Sequence, residues 1–230
     1  MKKIFAVLIT FVLCFTGCSH INELVKYDLQ GKKLLLKQQV SPTVSDVDVM
    51  LNYDFFNKNL LEVIVEEIGS GYVESELKEK LQKAINNDSI SFAISSGLLE
   101  GMQTYYKTVN VTILDSNPDF ILESYFEKFR LKSDPYGVYA SISTLARLID
   151  RSAAKLIWQN EETYSLPLGF TTYYYSGNKK ITTTVGVINA ARLLQMTEDE
   201  IRASVEVVSK EVGLRQSEQL RVDISESNLN

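Results

Sequence analysis

The sequence predicts an α+β domain: an antiparallel β-sheet covered on one face by helices, with additional helices toward the C-terminus. Three observations carry this. Between Asp119 and Leu166, three runs of about twelve residues have strand character and are joined by short turns, which makes a meander. Two segments before the meander, Ser75–Ile85 and Ile90–Tyr106, repeat apolar residues at helical spacing. One face of such a sheet has to be covered, and these helices are the natural cover. Near the end, Thr197-Glu198-Asp199-Glu200 has the form of a capping box opening a further helix.

Taken in order, Tyr27–Lys33 carries a turn at Gly31, and Leu34–Val40 reads as a strand. Ser41-Pro42 closes it, because proline removes a ladder donor. Val44, Val47 and Val49 suggest a second strand. Asn59–Ile68 fits two templates: Leu60, Leu61, Ile64 and Ile68 mark a helical face, whereas Val63 and Val65 favour a strand. After the break at Gly69-Ser70-Gly71, Leu77, Leu81, Ala84 and Ile85 lie opposite Glu76, Lys80 and Lys83 on a helix. Asn86–Ser89 supplies caps for the next helix, with Ile94, Leu98, Met102 and Tyr105 on one side. Gly97 and Gly101 have the four-residue spacing of a close-approach pair, best established for membrane helices. In a soluble helix they read preferably as tolerated glycines.

Val109–Leu114 is a short strand, followed by a turn at Asp115–Pro118. In the first run of the meander, Ile121, Glu123, Tyr125, Glu127 and Phe129 alternate with Leu122, Ser124, Phe126, Lys128 and Arg130. In the second, Tyr139, Ser141, Ser143, Leu145, Arg147 and Ile149 interleave with Val138, Ala140, Ile142, Thr144, Ala146 and Leu148. The third spans Lys155–Leu166, with Trp158 read as a core residue. Phe170–Tyr175 and Ile181–Val185 form strand-like segments around a hairpin turn at Ser176-Gly177-Asn178. Gly186–Met196 turns helical, and the capped helix from Thr197 runs to about Val212, with Gly213 as its stop.

The chain starts with Lys2 and Lys3, an apolar run from Ile4 to Phe15 broken only by Thr10, and then Thr16-Gly17-Cys18. A basic start, a short apolar stretch and a small-residue cleavage site make a secretory signal peptide. The run is too short to span a bilayer. Its end, Phe15-Thr16-Gly17-Cys18, resembles the lipobox of bacterial lipoproteins, with phenylalanine where leucine is usual. The resemblance implies that Cys18 is lipidated on sulfur, becomes the N-terminus and is acylated there. It implies a palmitate-type anchor in the membrane. Ser19 stands where aspartate would mark inner-membrane retention in enterobacterial lipoproteins, so the implied location is the outer membrane, facing the periplasm. The organisation that follows is a signal peptide (1–17), a lipidated tether (18–26), a single globular domain (27–213) and a polar C-terminal tail (214–230).

Removing Met1–Gly17 leaves 213 residues, enough for a substantial core. The mature chain carries 22 basic and 29 acidic side chains, a balance that argues against nucleic acid as a partner, since phosphate binding needs clustered Lys and Arg. Cys14 leaves with the signal peptide and Cys18 is consumed by lipid, so no disulfide is expected. The only histidine, His20, lies in the tether, which excludes a His-based triad or a His-rich metal site in one chain. No P-loop, Gly-x-Ser-x-Gly or Gly-x-Gly-x-x-Gly is present. Glu66-Glu67 and Glu161-Glu162 are sequence neighbours that point to opposite faces of a strand. Two distant carboxylates can still meet in a cleft, as glycoside hydrolysis requires. No cofactor, metal or enzymatic activity is expected.

Phe170, Tyr173, Tyr174 and Tyr175 form the candidate partner surface, because tyrosine is favoured at interfaces. The competing and preferred reading is strand residues with one ring in the core. Tyr105-Tyr106 reads as helical core plus an exposed neighbour.

Pro118-Asp119-Phe120-Ile121-Leu122-Glu123, then Leu148-Ile149-Asp150, then Lys155-Leu156-Ile157-Trp158 resembles a pattern recurring in periplasmic lipoproteins. These include auxiliary lipoproteins of ABC transporters, lipoproteins related to the curli secretion channel, and activators of cell-wall synthases. The resemblance covers about Ile85–Leu166 and implies a non-catalytic role, docking onto an envelope transport or assembly complex through a protein partner. The alternative function is a ligand-binding or carbohydrate-hydrolysing lipoprotein with carboxylates in a cleft.

Overall fold

A computed structural model describes residues 21–42, 52–53, 58–59, 79–112, 117–134, 137–168 and 195–227. The strands are β1 (Ile21–Asn22), β2 (Lys33–Val40), β3 (Asn52–Tyr53), β4 (Lys58–Asn59), β5 (Val109–Val111), β6 (Phe120–Asp134), β7 (Gly137–Asp150) and β8 (Lys155–Pro167). The helices are α1 (Asn87–Tyr106) and α2 (Glu198–Ser227), with a further helical stretch at 79–84. The expected α+β class holds. Strands lie in the order β1-β8-β7-β6-β2-β5, and β3 pairs β4 and the far end of β6.

The antiparallel meander is β6-β7-β8, as the alternation and turns predicted. The sheet is nonetheless mixed, because β2 runs parallel to both β6 and β5. Strands β2 and β5 are separated in sequence by α1, and parallel neighbours need a crossover of this kind.

Two bulges decide which side chains reach the core. In β6 the register jumps between Phe126 and Lys128, leaving Glu127 as the extra residue. Phe120, Leu122, Ser124 and Phe126 are buried before it, and Phe129 and Leu131 after it. The strict alternation expected for this strand, which grouped Phe129 with Glu123, is therefore reversed past Glu127, since one inserted residue flips every later side chain. In β8 the register shifts between Trp158 and Leu156, so that adjacent Ile157 and Trp158 are both buried.

Helices α1 and α2 lie on one face of this sheet. They run parallel: Glu100 pairs with Lys210, Gly101 meets Ser217, and Tyr105 lies under Arg221, in steps that rise together along both chains. The contact is backbone on backbone. A methyl group at position 97 would collide with the Lys210 carbonyl oxygen, one at 213 with the Ile94 carbonyl oxygen, and one at 101 with the Ser217 side chain. Gly97 and Gly101 are thus a close-approach pair after all, and the reading of them as merely tolerated is corrected. Only residues without a Cβ let the two helices come this near.

Gly213 does not end the second helix. It sits in the middle of α2, which continues through Ser227 with Gln216, Ser217, Leu220 and Asp223 buried. The boundary at 213 is corrected, and with it the reading of the polar tail 214–230 over its described part, through Ser227, for the same reason: this glycine serves packing, with its backbone in the helix. The cover of the sheet is α1 with α2, joined by Leu81, Ala84 and Ile85, rather than the two earlier helices alone. At the end of α1 it is Tyr106 that is buried, in step with Ile94, Leu98 and Met102, while Tyr105 is exposed. Burial pushes the Tyr106 phenol up to about 12.

The caps follow the expected chemistry. Asn86 Oδ1 accepts from the Asp88 and Ser89 amides at 2.8 and 3.2 Å. The capping box holds: Glu200 N donates to Thr197 Oγ1 at 3.2 Å, and Thr197 N donates to Glu200 Oε2 at 2.7 Å.

The expected tether enters the fold earlier than predicted. Ile21 and Asn22 pair with Gln159 and Trp158, Glu23 N donates to Ile157 O at 2.8 Å, and Leu24 is buried. From Ile21 on, the residues assigned to a tether are therefore part of the domain, because Leu24 fills the core beside Trp158. Val44, Val47 and Val49, the ambiguous segment beyond Asn59, Glu76 and the segment 170–194 lie outside the described residues. Among the described residues, no helix is long and apolar enough to cross a membrane.

Candidate functional site

Cys18, Phe170, Tyr173, Tyr174 and Tyr175 lie outside the described residues. The described surface that brings functional side chains together is the sheet face turned away from α1 and α2. Here the odd-numbered residues of β6 up to the bulge meet those of β7 and β8, and Lys37 and Gln39 of β2 flank them.

Tyr125 and Arg147 stand at its centre. The Arg147 guanidinium lies over the Tyr125 ring, 5.5 Å from the centroid, and its Nε donates to Gln159 Oε1 at 2.9 Å. Tyr125 donates its hydroxyl proton to Glu123 Oε2 at 3.0 Å, and Lys37 Nζ lies 3.8 Å from Glu123 Oε1. Partial burial, and then the Glu123 carboxylate that takes its proton in a hydrogen bond, raise the Tyr125 phenol. A cation on an aromatic ring, fixed by hydrogen bonds on both sides, is a stiff amphipathic patch. Tyrosine and arginine are also the side chains that most often dominate protein interfaces.

Beside this patch runs a groove of about 380 Å³ lined by Glu127, Lys128, Ser143, Glu161, Glu162 and Thr163. The bulge places Glu127 there half-buried. Burial, and then the neighbouring Glu161 carboxylate, raise its carboxyl above the ordinary range, while Arg147 pulls the other way. Glu161 and Glu162 are both exposed, with Glu161 opposite Leu145 and Glu162 opposite Thr144, which puts them on different faces of β8 as the sequence implied. Ser143 and Thr163 hydroxyls share a hydrogen bond of 2.8 Å across the groove.

A second depression, of about 540 Å³, lies at the turns and includes Asn117, Asp119, Asp150 and Arg151. Its polar groups are committed to the chain itself. Asp119 Oδ2 accepts from Lys33 N at 2.8 Å, and its own N–H donates to Lys33 O at 2.9 Å, which clamps β2 to the start of β6. Asp150 Oδ1 accepts from Ser152 N and Oγ at 2.8 and 2.7 Å, and the Ser152 hydroxyl chiefly lowers its carboxyl. Asp119 thus ties two strands together, and Asp150 builds the turn after β7. Among the described residues, no group of three or more His, Cys, Asp and Glu side chains is arranged to hold a metal ion.

Sequence reading missed the Tyr125–Arg147 pair. Arg147 falls on the more polar phase of its run, but Tyr125 shares its phase with Ile121 and Phe129, and alternation alone does not say which strands adjoin or in what register.

No protein-family model matches the chain, and no curated protein matches it. Among solved structures, a PelC variant dodecamer from Paraburkholderia phytofirmans aligns at 13% identity over 76% of this chain and 88% of that one, with a TM-score of 0.31. A protein of family DUF330 from Xanthomonas campestris aligns at 12% identity over 84% and 90%, with a TM-score of 0.32. A second PelC dodecamer from Paraburkholderia phytofirmans gives 13% identity, 73% and 89% coverage and a TM-score of 0.29. Likeness at this level carries no argument about what the chain does.

Proposed function

We propose that this chain is a lipoprotein anchored through Cys18 in the outer membrane, facing the periplasm, and that it serves as a non-catalytic docking component of an envelope transport or assembly complex. The leader ending in Phe15-Thr16-Gly17-Cys18 supports the location. The observation that carries the docking role is the Tyr125–Arg147 pair at the middle of the helix-free sheet face. The pair is held by Gln159 and Glu123, so little side-chain freedom remains to be lost when a partner binds.

Site-specific photocrosslinking in native cells tests this. A photoreactive phenylalanine at Gln39, beside Tyr125, is expected to capture one envelope protein. The same group at Gln103, exposed on α1, is expected to capture none, and Arg147→Ala is expected to abolish the adduct at 39. Capture at both positions alike, or at neither, removes the docking reading. Mass spectrometry showing an unmodified Cys18 thiol removes the anchor.

A second reading, a ligand-binding or carbohydrate-hydrolysing lipoprotein, draws on one observation: Glu127 is held up as an acid would be, next to Glu161. Turnover of an envelope glycan that is lost in Glu127→Gln would establish it, and absence of turnover by the wild-type chain would end it.

A further inference from the structure

We infer that the β1–β8 edge of the domain lies against the lipid headgroups, and that the β5 edge points away from the membrane. The inference rests on the proposed lipidation of Cys18 and deepens it from an attachment to an orientation. Only Ser19 and His20 separate Cys18 from Ile21. Three residue steps reach at most about 11 Å, whatever conformation they take.

Ile21 itself is not free to move. Its strand pairs with β8 at Gln159 and Trp158, the Asn22 amide donates to Asp223 O at 3.0 Å, and Glu23 pairs with Lys155. The acyl chains are therefore pinned beside β8. From β1 to β5 the sheet takes five interstrand steps, roughly 24 Å at the usual spacing, which exceeds that reach. The edge also suits a headgroup layer chemically. Val25 and Lys26, just after β1, are an exposed apolar and an exposed cationic side chain.

The test uses the full lipidated chain on vesicles of phosphatidylethanolamine and phosphatidylglycerol. Lipid consumes the Cys18 thiol, so an introduced cysteine is the only reactive one. A donor dye is placed at Thr163→Cys on β8 or at Val109→Cys on β5, and the acceptor sits on phosphatidylethanolamine headgroups. Energy transfer from 163 is expected to be at least about twofold that from 109, given the width of the sheet. A flexible Gly-Ser insert of about twelve residues between His20 and Ile21, reaching roughly 40 Å when extended, is expected to erase the difference. Vesicle-bound protein with equal transfer at both positions, or with a difference that survives the insert, overturns the orientation and leaves the anchor standing. Protein that remains in solution overturns the anchor and the orientation together.

Discussion

The Trp158 indole donates its Nε1 proton to Asp223 Oδ2 at 2.7 Å, and both residues are buried. They are 65 positions apart, one on β8 and the other near the end of α2. Gln219 Nε2 donates to the other carboxylate oxygen at 2.9 Å, so this acid organises donors from sheet and helix together. Asp223→Ala is expected to cost about 1–3 kcal/mol, the penalty for orphaning buried donors. Asp223→Asn, which keeps one acceptor, is expected to cost less. Trp158 is the sole tryptophan, so its emission in a denaturant titration reads both the midpoint and any change in its native environment.

The helix crossing makes an opposite-sign prediction for glycine. In an ordinary helix, Gly→Ala adds stability of roughly 1 kcal/mol. Here Gly97→Ala and Gly213→Ala are each expected to lose about 1–3 kcal/mol through overpacking. The nearest obstacles are backbone: the Lys210 and Ile94 carbonyl oxygens, and Leu98 N at 2.6 Å from a Cβ at 213. Gly101 faces the Ser217 side chain instead, so Ser217→Gly is expected to rescue Gly101→Ala in part and to leave Gly97→Ala unrescued. Equal rescue of both in thermal denaturation would contradict this geometry.

These same residues show how far the sequence was legible. The meander and the caps were readable because alternation, turn residues and Thr197-to-Glu200 spacing are local signals. The second half of α2 was not readable. Its buried positions include Gln216, Ser217 and Asp223, which look solvated in a sequence and are buried only because Thr144, Gly101 and Trp158 receive them. Gly213 carried two local meanings, helix stop and close approach, and only the partner helix chose between them. The phase change at Glu127 likewise depends on β7, whose consecutive residues Thr144 and Ser143 pair with Phe126 and Lys128 and leave Glu127 over. The Tyr125–Arg147 pair required that strand register as well as the strands themselves.

Glu127 gives a pH signature. Burial, with Glu161 beside it, raises its carboxyl in the folded chain. Between the ordinary carboxylate range and that raised value, the native state binds more protons than the unfolded state, so this group lowers stability as pH rises through the window. Glu127→Gln removes that loss. The variant is expected to be slightly more stable than wild type at neutral pH, by less than about 1 kcal/mol because the side chain is partly solvated. The advantage is expected to vanish below the ordinary carboxylate range, where both states of the wild type are protonated. Melting temperatures across pH check the sign, and a variant equally favoured at low and neutral pH would show that charge is not the cause.

Ending the chain after Gly213 separates a helix from a tail. A polar tail is dispensable, since its loss removes no packing. The segment beyond Gly213, however, supplies Leu220 to the cluster around Trp158 and the Gln216 amide that donates to Thr144 Oγ1 at 2.6 Å, besides Asp223 itself. Truncation there strips the cover from β7 and β8 and orphans the indole donor, and the expected outcome is loss of the cooperative unfolding transition. Leu220→Ala keeps the chain length and is expected to cost about 2–5 kcal/mol, the range for truncating a fully buried leucine. If calorimetry found the truncated chain melting like the full one, α2 beyond Gly213 would not be covering the sheet. A neutral Leu220→Ala would locate the disagreement at that side chain.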